Sequence, residues 1–195
     1  STSSAASDVY KRQVKLLAGA MLVSSIVAIV IMERALITRD FTVLFVAQNG
    51  STQTPALFNV ATLWSALEGS ILLWVLILCG YVVAVAVKFR DDGDDPMMAW
   101  VMLTLFVVSA FFFLMMIGPA APFRSFDPPA GYDGPGPNPL LQTHILMAFH
   151  PPMLYMGYVG FTVPFAFAIG ALVTGRVGEG WLLATRRWTC LLYTS

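Results

Sequence analysis

The chain has 195 residues, of which 57% are hydrophobic and only 11% charged, with a formal net charge of zero. Soluble domains carry roughly 25% charged residues, so a soluble globular protein is excluded, and so is a disordered one. The absence of net positive charge argues against nucleic acid as a partner, because phosphate binding needs a basic surface, and two cysteines, Cys79 and Cys190, make neither a disulfide framework nor a thiolate metal site. What remains is an all-α, polytopic integral membrane helix bundle.

In chain order, residues 1–13 are Ser/Ala-rich and polar, without the apolar core of a signal peptide. They read as a leader outside the membrane domain. About 20 apolar residues cross the hydrocarbon layer, and residues 14–36 supply the first such run, closed by Glu33 and Arg34. The segment 37–68 is a long loop. In it Phe41, Val43 and Phe45 alternate with Thr42 and Leu44, a pattern open to a short strand or hairpin as well as to an irregular loop. Asn49-Gly50-Ser51 fits a glycosylation sequon, but Asn-Gly is first a turn signal. Residues 69–88 form the second span, 89–96 a short polar turn, and 97–118 the third span between Pro96 and Gly118-Pro119. A second long loop, 119–152, contains the Gly-Pro run from Gly131 to Pro139, which reads as extended chain. A fourth span covers 153–175, and a fifth begins near Trp188 and is cut short, leaving 190–195 as a truncated tail.

Lys and Arg sort by side. One side collects Lys11, Arg12, Lys15, Lys88, Arg90, Arg176, Arg186 and Arg187, the other only Arg34, Arg39 and Arg124. Basic residues stay cytoplasmic, so the turn at 89–96 is expected inside and both long loops outside. The acidic run Asp91-Asp92-Gly93-Asp94-Asp95 lacks the spaced oxygens and closing Glu of a calcium loop. It is expected to be a solvated turn.

Few residues carry chemistry. His150 lies in Phe149-His150-Pro151-Pro152, directly before the fourth span. A residue before proline is pushed out of the α region, so His150 is expected at a bend, its imidazole positioned by Pro151 and Pro152. Two readings stand: an axial ligand to haem iron, or an interfacial histidine that hydrogen-bonds backbone. His144 lies six residues earlier, not at the i, i+4 spacing that pairs two ligands on a helix, and reads as a water-exposed loop residue. Glu68 sits at the start of the second span, either as a functional intramembrane carboxylate or as an acidic residue favouring a helix N-terminus. Trp64, four residues earlier, is expected on the same helical face. Ser65 and Gly69, and Gly157 and Gly160, read as close-packing positions.

Several stretches together resemble the CcmF family of cytochrome c-type biogenesis proteins. They are Asp40-Phe41-Thr42-Val43, Leu63-Trp64 with Glu68-Gly69-Ser70-Ile71-Leu72-Leu73-Trp74-Val75, Asn138-Pro139-Leu140-Leu141-Gln142, His150-Pro151-Pro152-Met153-Leu154-Tyr155-Met156-Gly157-Tyr158-Val159-Gly160, and Phe165-Ala166-Phe167-Ala168-Ile169. The resemblance covers roughly residues 14–189. It implies a multi-pass protein of the bacterial cytoplasmic (inner) membrane. Such a protein works with other cytochrome c maturation membrane subunits and a haem chaperone, and shares a synthetase activity that attaches haem b to the Cys-x-x-Cys-His motif of apocytochrome c on the outer side. It implies that His150 is an outward-facing haem axial ligand, that Pro151 and Pro152 position it, and that Glu68 and Trp64 at most shape the pocket. Thr143-His144-Ile145-Leu146 replaces a common Asp-Pro-Gly-Leu, and Ser65-Ala66 replaces Gly-Gly. The family's tryptophan-rich haem segment and its further haem histidines are not among these residues. Read without the resemblance, a transporter built around Glu68 or a non-catalytic membrane scaffold also fits the spans.

Overall fold

The computed structural model describes residues 2–89, 95–176, 178 and 180–193, and among them it is helical without a named strand. The acidic run at Asp91–Asp94 lies outside the described residues. Eight α-helices follow in order: α1 (Thr2–Thr38), α2 (Leu44–Asn49), α3 (Ala56–Ala61), α4 (Leu67–Lys88), α5 (Pro96–Ile117), α6 (Leu146–Gly160), α7 (Thr162–Val173) and α8 (Gly180–Tyr193). Four helical stretches are long and apolar enough to cross a membrane: Val9–Thr38, Leu67–Lys88, Pro96–Ile117 and Leu146–Val173.

The fourth stretch is two helices. Pro164 has no N–H to donate to the Gly160 carbonyl, so α6 stops there. The ladder restarts when the Phe165 N–H reaches the Phe161 carbonyl at 3.1 Å. Its start also differs from the expected residue 153. The helix already begins at Leu146, with Pro151 and Pro152 inside it, so His150 is helical rather than at a bend. The residue before a proline is biased away from the α region but not barred from it, and here two prolines near a helix start are tolerated.

The chain divides into two compact units, one of residues 25–76 and 112–154, the other of 1–24, 77–111 and 155–195. The first unit holds both long loops. Its core is Met32, Leu36, Phe45, Val46, Leu63 and Leu72. Because Phe45 and Val46 are neighbours in sequence and both buried, they fit one face of a short helix, α2, and not the alternation of a strand. Of the strand option only a single antiparallel bridge survives, Val43 with Ser125. In the second unit, Leu78, Cys79, Val82 and Val85 of α4, Val101 and Leu105 of α5, and Val163, Ala166 and Phe167 of α7 are fully buried. A Cβ on Gly170 would come within 2.9 Å of the Val101 side chain and 3.0 Å of the Met97 carbonyl. Glycine here lets α7 approach α5 closely.

Candidate functional site

The loop-bearing unit is organised from the end of α1. Arg39 has φ +54°, a left-handed conformation uncommon outside glycine. It ends α1 in a Schellman arrangement: the Arg39 N–H donates to the Leu36 carbonyl at 3.2 Å and the Asp40 N–H to Ala35 at 2.8 Å. Its guanidinium holds this costly geometry by donating to the carbonyls of Ser51 (3.2 Å), Thr52 (3.3 Å) and Thr54 (3.5 Å). Buried Asn59 donates to the Leu36 carbonyl at 2.8 Å, tying α3 to the same helix end.

The second long loop is clasped to the first. Asp133 accepts from the Thr52 N–H (2.9 Å), the Thr52 hydroxyl (2.6 Å) and the Ser51 hydroxyl (3.3 Å). These bonds, led by the Thr52 hydroxyl, hold the Asp133 carboxyl below its ordinary range. The Tyr132 hydroxyl donates to the Ala47 carbonyl at 3.0 Å, and its ring meets Phe41 edge-on at 5.6 Å. A Cβ on Gly134 would collide with the carbonyls of Gly50 and Ala47, so only glycine admits this approach. The Gly-Pro run is therefore held in place, but it is not simply extended, since Gly131 and Gly136 have φ of +76° and +75° and the Tyr132 N–H closes a turn on the Pro129 carbonyl.

The Asn138–Gln142 motif then turns the chain toward α6. The Asn138 side chain accepts from the Leu140 N–H at 3.0 Å and Pro139 follows it, which starts a 3-10 turn over Pro139–Gln142. The Gln142 amide reaches back to the Pro137 carbonyl at 3.1 Å. His144 plays a structural part, because its Nδ1 accepts from the Leu146 N–H at 3.1 Å and caps the start of α6. This role was not legible from spacing alone.

His150 is exposed on α6. Among the described residues its imidazole has no hydrogen-bond partner. Residues three and four positions away share its face. These are Leu146, Met147, Met153 and Leu154, with exposures of 61%, 46%, 59% and 41%. Pro151 and Pro152 supply no N–H, so the carbonyls of Met147 and Ala148 lack their usual helical donors.

Pro151 also lines a pocket of about 30 Å³ together with Trp64, Ser65, Leu141, Gln142 and Met147. Trp64 and Pro151 are thus brought together, while His150, Pro152 and Glu68 do not line it. Trp64 and Glu68 do not share one helix: Trp64 ends a 3-10 turn over Thr62–Trp64, and Glu68 lies in the first turn of α4. A Cβ on Gly69 would collide with the Leu63 carbonyl, and the Ser70 hydroxyl donates to the Trp64 carbonyl at 3.0 Å. The first turn of α4 is thus packed directly against the 3-10 turn that carries Trp64. A carboxylate in the first turn is favoured by the helix dipole, which gives Glu68 a structural reason.

A haem macrocycle does not fit a pocket with room for about one water. It does fit the open face of α6, where a free imidazole is bordered by four exposed apolar side chains. The donor set suits one side of a haem, with one nitrogen ligand and an apolar surface.

Fold and site together define a polytopic helical membrane protein that displays a single open histidine beside two interlocked loops. Residues 64–189 match the model of the cytochrome c assembly protein family, and the chain belongs to that family. It is 43% identical over 162 residues to the cytochrome c-type biogenesis protein CcmF of Escherichia coli strain K12, covering 83% of this chain and 25% of that protein. It is 43% identical to the CcmF of Pseudomonas fluorescens, over 82% of this chain and 24% of that protein. A solved structure of the cytochrome c haem lyase CcmF superposes with a TM-score of 0.76 at 31% identity, over 94% of this chain and 28% of that one. The chain thus spans about a quarter of the length of these relatives.

Proposed function

We propose that this chain is part of a haem-handling subunit of a haem lyase, which presents haem b for covalent attachment to apocytochrome c. The observation that carries this reading is His150: an unpartnered, exposed imidazole on a capped helix, bordered by an apolar face. His150 holds the haem iron through one ring nitrogen. Leu146, Met147, Met153 and Leu154 cover part of the macrocycle and exclude water from it. His144 and the two prolines set where the ligand-bearing turn begins and how it leaves the loop. Trp64 and Gln142 line one small cavity with Pro151. The haem supplies two vinyl groups, to which the two thiols of the apocytochrome motif add as thioethers, so the chain's own share is holding and orienting. The protein lies in the bacterial inner membrane with both long loops on the periplasmic side, as the distribution of Lys and Arg supports. It works there with other maturation subunits and a haem chaperone.

The test uses the complete protein purified from membranes. His150→Gly is expected to lose most of its outer b-type haem absorbance and cytochrome c maturation, and added imidazole should restore the absorbance. Unchanged haem content and maturation in that variant would overturn the reading.

A further inference from the structure

Pro151 withdraws the N–H that the Met147 carbonyl would accept from in a regular helix. Met147 and Pro151, the two ends of that missing bond, both line the cavity of about 30 Å³ in the loop-bearing unit. Trp64 lines it too. The Trp64 indole Nε1 is buried and, among the described residues, has no hydrogen-bond acceptor. A buried donor left unpaired is costly, and here it shares a cavity with a carbonyl short of its donor.

The chemistry of the cavity selects its guest. The Thr62 hydroxyl spends its proton on the Phe58 carbonyl at 2.9 Å, and the Ser65 hydroxyl spends its own on the Thr62 carbonyl at 2.8 Å. Both therefore offer only lone pairs, whereas the indole N–H only donates. A guest must accept from Trp64, donate to oxygen and fit the space of about one water. Among the described residues no charged side chain lines the cavity, so an ion would lie there uncompensated. An apolar guest would leave donor and acceptors unmet. Water meets every demand. Trp64 is also a fixed point: its ring packs against the core of Met32, Leu36 and Leu63, and its carbonyl accepts from the Ser70 hydroxyl of α4 at 3.0 Å.

We propose that Trp64 is a positioning residue for the turn that carries His150. Its indole N–H donates to one bound water, and that water donates to the Met147 carbonyl in place of the N–H that Pro151 lacks. The bond missing from inside α6 is thus supplied from the core. What the turn does for haem rests on the reading of His150 above; the bond itself does not.

The experiment follows deuterium uptake across residues 147–150 in the complete purified protein. Trp64→Phe keeps an aromatic ring and removes the N–H, and it is expected to speed uptake roughly tenfold. In Pro151→Ala the restored N–H takes the Met147 carbonyl, so adding Trp64→Phe should change uptake less than about twofold. Equal acceleration in both backgrounds means that the indole acts by packing alone and overturns the proposal, as does no acceleration in the single variant. Haem loss to apomyoglobin is the second readout. Trp64→Phe should speed it in the protein that keeps His150, but not in His150→Gly supplied with imidazole, whose ligand is not mounted on the turn. Equal acceleration in those two proteins also overturns the positioning role. Haem loss that His150→Gly itself leaves unchanged would count against the haem reading, while the uptake result would still decide the bond.

Discussion

The two units of this chain are held together by different physics. The unit of 25–76 and 112–154 has a modest apolar core, and its distinctive feature is a set of directional bonds: Arg39 to three carbonyls, Asp133 to Ser51 and Thr52, Tyr132 to Ala47. The unit of 1–24, 77–111 and 155–195 is mostly apolar side chains in contact. Its polar contacts include the ion pair of Arg176 with Asp95 at 2.7 Å. Hydrocarbon cannot satisfy loop backbone, so irregular chain must satisfy itself or face water. The loop-bearing unit does so with polar side chains that bond backbone and one another, as Arg39, Tyr132 and Asp133 show.

If that contrast is right, the largest effects fall on close approaches in the loop-bearing unit. Gly69→Val drives a side chain into the Leu63 carbonyl and the Phe45 ring. It should cost about 3 kcal/mol or more, read as a lowered thermal midpoint in detergent. Arg39→Ala leaves three loop carbonyls without their donor while keeping the left-handed backbone, at a cost of about 2 kcal/mol. Faster hydrogen exchange across residues 49–55 would show it. Loss of Asp133 is milder and depends on pH. Its carboxyl titrates lower in the folded chain than in the unfolded one. The stabilisation is therefore complete above the ordinary carboxylate value and disappears as pH falls through the lowered folded value. Protection of the Thr52 amide relative to its intrinsic exchange rate should fall over that acid range, and in Asp133→Asn that protection should be lower and should not titrate there. The smallest effect belongs to the other unit. Arg176→Ala removes an ion pair whose side chains are 55% and 26% exposed, and it should change stability by less than about 1 kcal/mol. A large loss there would erase the distinction between the units.

The spans were readable because hydrocarbon imposes one rule, a run of apolar residues of fixed length. The class of fold follows from 57% hydrophobic and 11% charged residues. The loops were not readable to the same depth. Asp133 and Thr52 are 81 positions apart, and no local pattern announces a bond over that distance. The Phe41–Phe45 alternation pointed to strand as readily as to loop, and tertiary burial of Phe45 and Val46 made it helix. Trp64 and Glu68 have helical spacing, but Trp64 ends a 3-10 turn and Glu68 opens α4, so the two are not on one helix. His150 was picked out by its prolines, although the bend expected of them is absent. His144 looked idle, since a cap by an imidazole nitrogen has no sequence signature as plain as that of Ser or Asp.

The two prolines of α6 bear on its stiffness. In an unbroken helix the amides of residues 151–154 bridge the cut just after His150. Pro151 and Pro152 remove two of those four rungs. The turn that bears His150 is thus anchored at its front by the His144 cap and joined to the rest of its helix by half the usual struts. Such a mount resists sliding along the helix axis yet yields to tilting. The His150 turn is therefore held to the remainder of α6 by fewer backbone bonds than any proline-free turn of the same helix would be.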